Sequence, residues 1–251
     1  MTSLAGQGEY AGIRRCAAGA ARILIVVAVG LYLTACAQTK AFVQSKDFER
    51  PSETVRVLLM PPDVELYELT TAGMLEPKAD WTESAKTNVA YAFESILQER
   101  QANLLFYDSA AGKLAFDDAH LQAIKLHSAV GNSILLHKYL PQMALPTKKE
   151  TFDWTLGEAA TALRDTYDAD YALFIHFRES FSSAGRATLI IVGALLGVGV
   201  RGGSQVGFAS LVDLRSGDIV WFNRLASGTG DLRKADLARG ASEKLLTEFP
   251  L

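Results

Sequence analysis

Cysteine is nearly absent: the 251 residues contain only Cys16 and Cys36. Two thiols exclude a disulfide-dense scaffold and a Cys-rich zinc module. Histidine is sparse too, with four residues, His120, His127, His137 and His176. His120 and His127 are about 10 Å apart along a helix, too far to share one metal ion without ligands from elsewhere. Positive charge is not in excess, since Lys+Arg 25 against Asp+Glu 28 gives a net charge of −3. There is no global basic field, and no nucleic-acid partner is expected.

The usual catalytic signatures are missing as well. Gly-x-Ser-x-Gly does not occur, and no free Cys is left to pair with a His once Cys36 is assigned below. No Gly-Lys-Ser/Thr phosphate loop is present. Gly197-x-Gly199-x-x-Gly202 matches the dinucleotide fingerprint in letters, but Gly202-Gly203-Ser204 leads into a β-like run where the fingerprint needs a helix. Asp165, Asp168, Asp170, Asp213 and Asp218 fall at element ends or turns, where Asp caps or turns the backbone. A glycosidase pair could still form among them through space, which spacing along the chain does not reveal.

What is present begins at the N-terminus. Arg14, Arg15 and Arg22 precede an 11-residue apolar run at residues 23 to 33. This is the layout of a secretory signal, too short for an ordinary membrane-spanning helix. Cys16-Ala17-Ala18 after the arginine pair departs from a twin-arginine signal, which leaves general secretion. The run ends in Leu33-Thr34-Ala35-Cys36, which resembles the lipobox of bacterial lipoproteins. The resemblance implies cleavage before Cys36, a diacylglycerol on its thiol and an acyl chain such as palmitate on its new amino group. No other cofactor is expected. Ala37, in place of the Asp linked to inner-membrane retention, implies an outer-membrane protein facing the periplasm. Three segments follow: 1–35 a signal peptide, 36–54 the acylated Cys and a polar tether, and 55–251 one periplasmic domain. Loss of the signal removes three arginines and only one acid, Glu9, so the mature chain is more acidic than the whole.

From residue 55 the pattern becomes regular. Residues 55 to 60 form an apolar strand stopped by Pro61-Pro62. Asp80 and Glu83 open a helix whose Ala85, Val89, Ala92, Phe93, Ile96 and Leu97 recur at helical spacing. Residues 104 to 107 form a second strand. Residues 117 to 140 form a helix that Gly131-Asn132 should interrupt or bend. Thr155 and Glu158 make another capping box before a helix reaching Tyr167. A strand follows at 171 to 178. Residues 206 to 213 and 219 to 225 make a hairpin with Gly217 in its turn, and a helix spans 231 to 248. The expected fold class is α/β (α+β), a mixed sheet of about four to five strands with helices packed on it.

Residues 187 to 200 hold no charge between Arg186 and Arg201. As a helix this stretch would be about 21 Å long, short of the roughly 30 Å hydrocarbon core. It lacks the alternation of a membrane β-hairpin. Three readings stay open: a buried strand and turn, a membrane-dipping helical loop, or self-association through Gly193-x-x-x-Gly197. The candidate contact residues are Gly193, Leu196 and Gly197.

Ala169-Asp170-Tyr171-Ala172-Leu173-Phe174-Ile175 and Val212-Asp213-Leu214-Arg215-Ser216-Gly217-Asp218-Ile219-Val220-Trp221, after a lipobox and a strand ending in Pro-Pro, resemble outer-membrane lipoproteins related to the curli-secretion channel and the TolB amino-terminal domain. That resemblance covers roughly residues 55 to 250 and rests on short structural motifs. It implies a compact α/β domain that scaffolds, activates or assembles envelope machinery, with no catalytic residues to carry over. The expectation is therefore a lipid-anchored, non-catalytic binding, scaffold or assembly lipoprotein with outer-membrane lipid, an envelope protein and a second copy of itself as partners. The alternatives are an oligomeric export or pore component of the curli-secretion type, in doubt because amphipathic membrane strands are missing, and an envelope hydrolase.

Overall fold

Residues 171 to 177, Tyr-Ala-Leu-Phe-Ile-His-Phe, are buried without a break, as a strand covered on both faces must be. In the computed structural model, which describes residues 38–43, 48, 55–108, 118–148 and 151–251, they begin the longest strand of a mixed sheet. The strands are β1 (Gln38–Val43), β2 (Arg56–Leu59), β3 (Asp63–Leu69), β4 (Leu75–Pro77), β5 (Asn103–Phe106), β6 (Tyr171–Ser182), β7 (Gln205–Asp213) and β8 (Ile219–Ser227). The helices are α1 (Ala79–Glu99), α2 (Asp118–Tyr139), α3 (Thr161–Tyr167), α4 (Ala184–Leu195) and α5 (Ala235–Leu245). Strand order is β1-β8-β7-β6-β2-β5, with β3 also on β6 and β4 on β3. The mixed sheet with packed helices is as expected, and among the described residues its eight strands exceed the four to five counted from sequence.

Alternation along the strands divides two cores. Val57, Leu59, Leu173, Ile175 and Phe177 face one side, under Val89 and Phe93 of α1 and Ala238 and Leu245 of α5. Leu58, Met60, Ala172 and Phe174 face the other, under Ala123 and Ile134 of α2 and Leu163 of α3. A one-residue slip of β6 would exchange the two sets, so each face fixes its register.

The extra strands have physical explanations. Pro61-Pro62 does interrupt the ladder, but only for a bulge. Leu59 is opposite Leu173 and Asp63 is opposite His176, so the proline-bearing chain uses one more residue than β6 over the same distance. The chain then resumes as β3, parallel to the second half of β6. In the segment expected as tether, Gln38–Val43 pairs antiparallel with β8, which brings the sheet within two residues of Cys36.

Helix starts also differ from the expected caps. Helix α1 begins at Ala79 with Lys78 at its cap and no side-chain cap hydrogen bond. Asp80 lies inside the first turn, where it opposes the positive end of the helix dipole. Thr155 accepts from Gly157 N at 2.8 Å, a local turn, and α3 starts only after a 3-10 turn at Gly157–Ala160. Residues 231 to 234 precede α5, with Asp231 bound to Arg233 at 2.7 and 3.0 Å. The hairpin turn is as expected: Gly217 has φ +80°, and a Cβ there would meet Gly157 O at 2.3 Å.

Helix α2 is continuous through Gly131-Asn132. The glycine is there for packing, because a Cβ on Gly131 would lie 2.1 Å from the Phe208 ring. Alanine is the better helix former by roughly 1 kcal/mol, yet the overlap is with a fully buried ring that cannot swing away. Gly131→Ala is expected to lower the urea midpoint, with a net loss of about 1–3 kcal/mol. An unchanged or raised midpoint would show that α2 does not lie this close to β7.

Candidate functional site

Three polar constellations come together in the fold. On the face covered by α2, His127 is buried and hydrogen bonded to Ser210, with its ring stacked on Phe174 at 4.5 Å. Burial, then repulsion from His176, pushes its pKa down to about 3. A hydroxyl beside a neutral imidazole is the start of a nucleophilic pair, but Ser210 is wholly buried behind Phe208 and Phe222.

The second constellation joins β3 and β6. Asp63 accepts from His176 Nδ1 at 2.9 Å and is bridged by Arg178 at 2.9 Å. Burial would raise the Asp63 pKa, but the hydrogen bonds from His176 and Arg178 outweigh it and hold the carboxyl well below the usual range. Each charge has its partner, an arrangement suited to locking the resumed strand β3 onto β6. His120 is buried with Nε2 3.2 Å from both Ala162 O and Thr166 Oγ1, and His137 Nδ1 lies 2.6 Å from Met143 O. Among the described residues no group of three or more His, Cys, Asp or Glu side chains could hold a metal ion.

The third lies where β3, β6, β7 and β8 meet at one end of the sheet. Leu69 pairs with Ser182, Glu179 with Gln205, Gln205 with Ser227, and Gln38 with Ala226. Glu179 is 2% exposed. One carboxylate oxygen accepts from Gln205 Nε2 at 2.8 Å and the other from Leu232 N at 2.9 Å. Burial raises its pKa to about 7, with the Leu232 N–H opposing the rise and the nearby Asp231 adding to it. Gly230 is required here, since a Cβ would come within 2.7 Å of both the amide and the carboxylate. A crevice of about 170 Å³ and a neighbouring cleft of about 270 Å³ share Gln205 and Gly230. Arg233 closes the loop by lying over Phe181 at 3.9 Å and Trp81 at 4.6 Å.

From the same end projects α4. Ser183 caps it by accepting from Arg186 N at 3.2 Å. Gly197, at φ +73°, ends it, and Val198 N donates back to Gly193 O at 2.7 Å. The reading of residues 187 to 200 as a buried strand and turn is thereby corrected. The stretch is helix to Leu195, and Leu195, Leu196 and Ile191 are 82%, 74% and 63% exposed. No residue of this insertion between β6 and β7 belongs to either core cluster among the described residues. Of the three contact candidates, Leu196 is exposed, whereas Gly193 is buried against Val198 and Val200 of the returning chain and Gly197 serves as helix terminator. Leu33, Thr34, Ala35 and Cys36 lie outside the described residues.

Glu179 was missed in the sequence, although a signal existed. Ile175 and Phe177 point to the α1 side, and parity puts the next residue but one, Glu179, on that side too.

No protein-family model and no curated protein matches the chain. Among solved structures it is similar to a PelC dodecamer from Paraburkholderia phytofirmans in space group P6, at 11% identity and a TM-score of 0.40. A single-residue variant of that dodecamer in space group C2 gives 12% and 0.39. Each alignment covers 84% of this chain and 96% of the other. Likeness at that level carries no argument about what this chain does.

Proposed function

We propose that the chain is a lipoprotein of the outer membrane, held by acyl chains on Cys36, facing the periplasm and serving as a binding, scaffold or assembly component of envelope machinery without chemistry of its own. The observation that carries this reading is Leu33-Thr34-Ala35-Cys36 directly after a basic and then apolar leader. Two structural features support it. Strand β1 starts two residues after Cys36 in the sequence, and the His127–Ser210 pair is buried. The finer kinship, with TolB amino-terminal domains and the curli-secretion lipoprotein, is supported by the two motifs that became the start of β6 and the β7–β8 hairpin.

Several acyl chains give stable attachment, since each buried methylene contributes about 0.8 kcal/mol. Cys36→Ala is expected to abolish labelled palmitate incorporation and to move most of the protein out of the outer-membrane fraction. Palmitate incorporation that survives this change would refute the anchor. An oligomeric export component is the second reading, favoured by the exposed α4, and light scattering of the mature protein in detergent tests it.

A further inference from the structure

We propose that α4 is a membrane-dipping helix that seats the domain on the same lipid leaflet that holds the Cys36 acyl chains. This inference rests on the lipid-anchored reading and adds to it a second, non-covalent contact with lipid.

Four observations point to lipid as the occupant. The first is position: Gln38 starts β1 at Ala226, at the sheet end from which α4 leaves β6 and returns to β7. Cys36 precedes Gln38 by two residues in the sequence. The second is surface. Leu189, Ile191, Val192, Leu195, Leu196 and Val198 are all exposed, on more than one side of a helix that touches little of its own domain. Scattered exposed apolar residues are ordinary, but a contiguous set marks a contact. Beside its base, where Gly185 abuts Thr71 and Arg186 donates to Thr71 O at 3.4 Å, the β3–β4 turn exposes Met74 and Leu75 as well.

The third is charge. Arg186 and Arg201 bound the apolar stretch, and Arg186 Nε donates to Arg201 O at 3.0 Å, so both lie at its foot. Cations there would sit level with anionic headgroups while the apolar tip goes deeper. The fourth is length. Twelve helical residues span about 18 Å, comparable to half of the roughly 30 Å core, and among the described residues no helix is long and apolar enough to cross. Gly193 argues against a second copy of the helix, because the chain's own Val198 and Val200 already fill the groove it would offer.

The test uses the full chain, purified after native processing and reconstituted into phosphatidylethanolamine and phosphatidylglycerol vesicles with brominated acyl chains. Leu196→Trp is expected to add a blue-shifted emission that the bromines quench and aqueous iodide does not. Arg215→Trp, on the hairpin at the opposite end of the sheet, is expected to add emission quenched by iodide only. The same pair in a Cys36→Ala background separates helix from anchor: fewer molecules bind, but those that do keep the bromine quenching at position 196. A Leu196→Trp emission that stays open to iodide in both backgrounds would overturn the proposal. So would a blue shift that appears with rising protein concentration in lipid-free solution, which would assign the helix to a second copy. Failure of palmitate labelling at Cys36 would instead count against the anchor alone.

Discussion

Phe208→Ala is expected to cost about 3–5 kcal/mol, the range for emptying an aromatic core position, and to bring the domain close to losing cooperative unfolding, since whole domains are stable by only about 5–15 kcal/mol. The ring is fully buried in the middle of β7. It stacks on His176 at 4.4 Å and on Phe222 at 5.3 Å, lies 5.4 Å from His127, and fills the notch left by Gly131. Its removal therefore unpacks α2 from the sheet and admits water to two histidines. His127 provides a readout besides stability. Its low pKa comes first from burial and then from His176, so hydration should move its titration in NMR from about 3 up toward the ordinary imidazole value. A loss below about 1 kcal/mol with an unchanged His127 titration would mean that α2 does not close this face.

What could be read in advance follows from how locally each feature is encoded. The stripe Ala85, Val89, Ala92, Phe93, Ile96 and Leu97 is buried residue for residue, because a helix face is determined by spacing alone. The hairpin was legible for the same reason, since Gly217 and its flanking apolar runs are neighbours in sequence. Strand β3 was not, because its justification is β6, more than a hundred residues later, and because Pro61-Pro62 signals a stop where the fold makes a bulge. Gly131 likewise looked like a helix breaker, and only the arrival of Phe208 from β7 gives the missing Cβ its purpose. For residues 187 to 200 composition left three outcomes open, and the choice among them depended on contacts with distant elements. The stretch joins neither core and stands outside them as α4. At the sheet end beneath it, Glu179 could be assigned to a face by parity. Its partners could not be found, since Gln205 and the Leu232 N–H approach from β7 and from the loop before α5.

Glu179→Gln is expected to stabilise the protein at pH 8 by about 1–3 kcal/mol and to have almost no effect near pH 4. The unfolded carboxyl titrates near 4.5 and the folded one near 7. Between these values the folded state holds a proton that the unfolded state has released, so stability falls as pH rises through the window. Above pH 7 the buried carboxylate is charged and its full penalty is present. Glutamine keeps the shape and remains neutral. Its carbonyl can accept from the Leu232 N–H, and its NH2 can donate to Gln205 once that amide turns over. Asp63 and Asp231 act in the opposite direction: their lowered pKa values add stability that is lost toward acid. The quantity to measure is therefore the difference between variant and wild type, from urea unfolding at intervals between pH 4 and 8. That difference should be close to zero at the acid end, grow through the window and level off above pH 7. A destabilised variant at pH 8, or a difference independent of pH, would mean that the Glu179 carboxylate is stabilised in place by its two donors and does not take up a proton at neutral pH.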